Sequence, residues 1–172
     1  MYLASDTVIA NCSAYDIVDF TNPCTSLWVP TTWNITLGAG VTASSALARG
    51  LMTIGSGAVV HNFIASETYA SCTVAAGGSL AGTNTVDTYY FTVESGGVAN
   101  SVIFGNPVQS TQMTLSGAVN YLELSGHATC NAYGSDAVIS DLIVSAGCSF
   151  VGTSGVRVLI STVLPDGYYY NG

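Results

Sequence analysis

Asp136 with Asp141, and Glu94 with Glu123, are the carboxylate pairs whose spacing could bring two acids to one surface. Glycoside hydrolysis needs such a pair, one acid to protonate the leaving oxygen and one as base or nucleophile. Their offsets within the surrounding sequence pattern differ, and no basic residue clusters with them to hold an acidic sugar. Arg49 and Arg157 are the only permanent cations, and there is no lysine. That removes the phosphate-loop lysine, Schiff-base chemistry and the cationic cradle that a uronate lyase requires. Asp6, Asp16 and Asp19 offer oxygen ligands, but neither an EF-hand loop nor a Gly-Gly-x-Gly-x-Asp calcium repeat frames them. His61 and His127 each lack a second metal-ligating partner at a useful spacing, no Cys-x2-Cys occurs, and no G-x-S-x-G elbow is present. The residues point to a non-enzyme without catalytic, metal or cofactor sites.

Charge narrows the partners. Only 7% of the 172 residues are charged, and ten carboxylates against two arginines give a net charge of -8. Nucleic acid requires clustered Lys and Arg and is excluded as a partner. No stretch of eighteen apolar residues exists, so no membrane-inserted helix is expected. Polarity must instead come from hydroxyls and amides, a composition that suits an extracellular or cell-surface protein. The opening Met1-Tyr2-Leu3-Ala4-Ser5-Asp6 has neither the basic nor the long apolar region of a signal peptide. Asn11-Cys12-Ser13 and Asn34-Ile35-Thr36 match the N-glycosylation triplet, a pattern that arises often by chance.

The elements that must position these groups come from a repeat. Between residues 35 and 150 an apolar, small polar, apolar triplet returns at Ile35, Met52, Cys72, Phe91, Met113, Cys130 and Cys148, with steps of 17, 20, 19, 22, 17 and 18 residues. A period near 19 is the mark of a solenoid. Strand alternation turns the flanking residues inward and leaves an outward ladder of Thr36, Thr53, Thr73, Thr92, Thr114, Asn131 and Ser149. Glycine marks the corner that follows, at Gly40, Gly57, Gly77 and Gly96, then at Gly117, Gly134 and Gly152. A second strand is signalled by Asn or Ser two residues before an apolar residue: Ser45 with Leu47, Asn62 with Ile64, Asn84 with Val86, Asn100 with Val102, Asn120 with Leu122, and Ser140 with Leu142. Stacked asparagines can satisfy one another as a ladder. The expected fold is a single all-β solenoid of about seven coils with parallel stacked strands, roughly 34 Å long at the parallel-strand spacing. Segments Ser66-Glu67-Thr68-Tyr69 and Gly105-Asn106-Pro107 fall in the two longest steps and are expected to bulge as loops.

Residues 1–34 lack the triplet and are expected to form an amino-terminal cap or assembly segment, with 35–164 as solenoid and 165–172 as an aromatic tail. Cys12 and Cys24 could staple the cap. Cys130 and Cys148 fall in one inward column a coil apart, where packed thiols are favoured over a bond, and Cys72 is expected free. The two ranks of a regular ice-binding face are missing, because Gly38, Gly55, Ala75, Glu94, Ser116 and Tyr133 follow the ladder in no order.

The phrase Glu94-Ser95-Gly96-Gly97-Val98-Ala99-Asn100-Ser101-Val102 resembles the repeat of AIDA-type autotransporter adhesin passengers, and Thr73-Val74-Ala75-Ala76-Gly77-Gly78 matches it in part. The resemblance covers about residues 35–160 and implies a single-stranded right-handed parallel β-helix displayed outside a bacterial cell for adhesion or self-association. The expected function is therefore that of an extracellular structural protein, a self-associating surface or filament subunit. Tyr2, Leu3, Val8 and Ile9 of one copy would meet Val158, Ile160, Tyr168, Tyr169 and Tyr170 of the next. The alternatives are a monomeric adhesin passenger fragment binding a host or glycan receptor, and a polysaccharide-degrading or tailspike-like β-helix.

Overall fold

A computed structural model describes residues 17–20, 24–29 and 34–172. The described residues form an all-β solenoid without a helix, in which every strand pairing is parallel. The strands are β1 (Ile17–Phe20), β2 (Cys24–Val29), β3 (Asn34–Leu37), β4 (Thr42–Ala48), β5 (Leu51–Ile54), β6 (Val59–His61), β7 (Phe63–Val74) and β8 (Ser79–Val93). They continue as β9 (Val98–Phe104), β10 (Ser110–Leu115), β11 (Ala118–Leu124), β12 (His127–Ala132), β13 (Val138–Val144), β14 (Ser149–Gly152), β15 (Arg157–Val163) and β16 (Tyr168–Asn171).

Each turn contributes three strand segments, so the stack has three faces. The first face carries the triplets in the expected columns: Ile35, Met52, Cys72, Phe91, Met113 and Cys130 pair in succession, as do Leu37, Ile54, Val74, Val93, Leu115 and Ala132. All twelve are buried, because alternation along a strand sends every second side chain into the same interior. The second face is a two-residue segment in each turn, as at 98–99, 118–119 and 138–139. The third face follows it, as at 101–104, 121–124 and 141–144.

The last turn departs from the sequence reading. Cys130 pairs with Phe150 and Asn131 with Val151, so Ser149 lies beside Thr129 rather than in the ladder. The Ser149 hydroxyl donates to Thr129 Oγ1 at 3.1 Å. Cys148 therefore does not stack on Cys130, and Gly152 is an inward strand residue, not a corner. The corner of this turn holds Gly155 at φ +98°, four residues beyond Val151. Two successive alternating triplets overlap at Phe150, and sequence spacing alone cannot choose between them.

The ends also differ from expectation. β1 pairs with β3 and β2 with β4, so residues 17–20 and 24–29 are solenoid strands rather than part of a separate cap. At the other end β16 pairs with β14, which makes the tyrosine-rich tail a strand of the stack. Tyr169 enters the interior column and stacks on Phe150 with ring centroids 5.5 Å apart and planes 14° apart.

The second strand signal splits into three registers. Leu47 and Ile64 face outward, Val86 aligns with Ala65 and Phe104, and Val102, Leu122 and Leu142 form another inward column with Asn84. An irregularity between Leu80 and Thr83 shifts the turn, with Gly82 at φ +75° taking the corner. Asn84 is pushed inside, and it is fully buried. The Asn ladder survives at the corner as one rung, Asn120 Nδ2 donating to Asn100 Oδ1 at 3.0 Å. Of the two insertions, 105–109 is a loop closed by Asn106 Oδ1, which accepts from the backbone N–H groups of Val108 and Gln109 at 2.7 and 2.9 Å. The other is no loop: β7 runs on as a strand and absorbs it as a bulge between Glu67 and Ser71.

Candidate functional site

The first face is the surface that the repeat builds most regularly. Its outward residues fall in two files, because strand alternation exposes two positions in each four-residue segment. One file is the ladder Thr36, Thr53, Thr73, Thr92, Thr114 and Asn131, continued by Val151 and Tyr170. The other lies two residues earlier in each strand: Asn34, Leu51, Ser71, Tyr90, Gln112, Thr129, Ser149 and Tyr168. Sequence reasoning looked for a second rank after the ladder and missed this one; counting back two residues from each threonine finds it. From Asn34 onward neither file holds an acidic, basic or histidine residue, although the chain carries ten carboxylates.

Those carboxylates lie elsewhere. Asp136, at the corner after the first face, accepts a hydrogen bond from the Ser95 hydroxyl two turns away. Asp141 is on the third face beside Tyr121, whose hydroxyl donates to Glu123 at 2.9 Å. Partial burial, that hydrogen bond and the negative charges of Glu123 and Asp141 all push the Tyr121 phenol above its ordinary pKa. The sequence-level pairs are thus divided: Asp136 joins the Glu94-Ser95 corner, while Asp141 and Glu123 share Tyr121 on another face. Among the described residues no three His, Cys, Asp or Glu side chains cluster to hold a metal. Asp6 and Asp16 lie outside the described residues, and Asp19 is described only as part of β1.

Cys72, Cys130 and Cys148 are free and buried, in keeping with packed thiols. Burial pushes all three upward, and at Cys148 a backbone hydrogen bond from Ala128 opposes the shift. A thiol so protonated is a poor nucleophile and a poor ligand. Cys12 lies outside the described residues, so the Cys12–Cys24 staple does too.

The second surface is the carboxy-terminal end of the stack. β15 pairs on one side with β13, and β16 on one side with β14. Positions that are buried in earlier turns stand open here: Val163, in the column of Leu124 and Val144, is 42% exposed. Leu159 and Ile160 on β15 are 66% and 62% exposed, and Tyr168 and Tyr170, on the first face with β16, are exposed as well. Val158 and Tyr169 are partly buried against the core. Asn171 Oδ1 is buried at this end without a hydrogen-bond partner, while its amide donates to Val156 O at 3.4 Å. Tyr2, Leu3, Val8 and Ile9 lie outside the described residues.

No family model, characterised protein or solved structure matches the chain.

Proposed function

We propose that the chain is a non-enzymatic structural protein of the cell surface or extracellular space, a subunit that associates end to end. The exposed apolar residues of β15, Leu159, Ile160 and Val163, carry this reading. A parallel edge strand presents N–H and C=O groups that only another strand of matching geometry pairs fully. Uncovered apolar side chains beside that edge gain about 1.5–3 kcal/mol each on full burial. A second copy supplies both through its amino-terminal segment, residues 1–20, and the contact repeats without closing, which gives a fibre. The scarcity of charge at the edge supports the same reading, since desolvating it costs little. Tyr2, Leu3, Val8 and Ile9 are the apolar residues assigned to the incoming edge.

Light scattering and negative-stain electron microscopy of the full chain test this. Filaments are expected, growing faster as salt rises from 10 to about 150 mM because each copy carries net negative charge that the salt screens. Changing Ile160→Lys at its exposed site leaves a 17.6 kDa species, and deleting residues 1–20 leaves a monomer lighter by those twenty residues. A full chain that stays at that mass at every concentration, or a deletion that still forms filaments, refutes the proposal.

A further inference from the structure

We propose that the first face docks a neutral polysaccharide, with Tyr90 and Tyr168 as its aromatic contacts. Tyr90 and Tyr168 stand in the same outward file, four strand pairings apart, which at the parallel spacing is roughly 19 Å. Between them lie Gln112, Thr129 and Ser149, short or flexible uncharged groups that both donate and accept hydrogen bonds. Both rings are half exposed, at 50% and 57%. Their settings are built: Tyr89 packs edge-on to Tyr90 at 4.6 Å, and the inward Tyr169–Phe150 stack anchors the strand that carries Tyr168.

The occupant follows from the charge distribution. All carboxylates are absent from both files from Asn34 onward, while the whole chain stands at -8. An acidic glycan would be repelled by that field and would find no cation on the face. A second copy finds no charge complementarity on this face, and ice would meet Leu51, Tyr90 and Tyr168 projecting among the shorter hydroxyls. A neutral pyranose polymer meets none of these objections. Its ring C–H faces lie on aromatic rings, and its hydroxyls exchange hydrogen bonds with the Gln, Thr and Ser side chains. The polymer would lie along the stack axis, spanning the turns between the two tyrosines.

This inference stands apart from end-to-end assembly, and its test is run on the full chain carrying Ile160→Lys. Binding isotherms on microcrystalline cellulose and on an insoluble neutral β-1,3-glucan should saturate for at least one of the two. Polygalacturonate should not be bound. The Tyr90→Ala, Tyr168→Ala double variant should lose at least tenfold in affinity with an unchanged far-ultraviolet circular dichroism spectrum. Tyr90→Phe should retain binding, since the ring and not the hydroxyl makes the contact, and Thr42→Glu on the second face should leave it unchanged. Absence of binding to both neutral polymers overturns the proposal, as does equal binding by the double alanine variant. Shaping of ice crystals, or a tyrosine-dependent change in sedimentation alone, without glycan binding, would assign the face to ice or to a second copy and overturn it as well.

Discussion

Asn84 shows how one residue can be polar, fully buried and stabilising. Its Oδ1 accepts from Phe63 N–H at 3.0 Å in the turn before, and its Nδ2 donates to Ser101 O at 2.8 Å in the turn after and to Gly82 O at 3.3 Å. The side chain thus replaces the ladder hydrogen bonds that the irregularity at Leu80–Thr83 breaks. An apolar residue of similar volume would fit the column between Phe63 and Val102 but would orphan a buried donor and a buried acceptor. Each orphan costs about 1–3 kcal/mol. Asn84→Leu should therefore lower the unfolding free energy by about 2–5 kcal/mol in urea titration, despite the gain in hydrophobicity. A variant as stable as the parent would show that the bonds contribute nothing.

At the scale of the elements, the corners set how closely turns stack. Gly40, Gly57 and Gly77 each donate a backbone hydrogen bond to the corner of the next turn, at 3.2, 2.8 and 2.9 Å, accepted by Gly57, Gly77 and Gly96. Two glycines in this corner are needed for different reasons. Gly40 has φ +81° with open space around a would-be Cβ, so only its conformation excludes other residues. Gly78 has no such φ, but a Cβ there would sit 2.2 Å from Ile54 O of the preceding turn. Backbone cannot move aside as a flexible side chain can. Gly40→Ala should cost about 1–2 kcal/mol, the left-handed penalty. Gly78→Ala should cost clearly more and should loosen the pairing of β5 with β7, which hydrogen exchange at Ala75, whose N–H donates to Ile54 O at 2.9 Å, would reveal. Equal costs at the two sites would contradict this account.

At the scale of the whole molecule, the interior is a continuous stack without a separate cap among the described residues, so exposing any core group requires opening the stack. The thiols of Cys72 and Cys130 report on this. Burial raises both far above their ordinary value of 9.0, so the folded state keeps them protonated where the unfolded chain ionises. Their contribution is fully present below about pH 9 and falls as pH rises further toward the folded values, by about 1.4 kcal/mol per pH unit for each thiol. The unfolding midpoint should drop steeply between pH 9 and about 11. The Cys72→Ala, Cys130→Ala double variant should be less stable at pH 7, through lost packing, yet flatter over that range. An identical slope in the variant would assign the alkaline loss to other groups.

The triplets, their period and their inward columns were legible from Ile35 to Cys130, because side-chain alternation with period two is a local property and the repeat displays it six times over that stretch. Composition likewise fixed the poverty of charge, and with it the neutral character of any face built from the hydroxyl ladder. Register beyond an insertion was not legible. A shift of one residue turns a strand inside out, as with Asn84 inward and Ile64 outward, and a shift of two preserves the alternation, as with Phe150 in place of Cys148. Only hydrogen bonding to the neighbouring turn chooses among such registers. The same cause hid the second outward file, and it decided that residues 17–20, 24–29 and Tyr168–Asn171 belong to the stack: their pattern is too short to read alone, and what places them is pairing with the turn beside them.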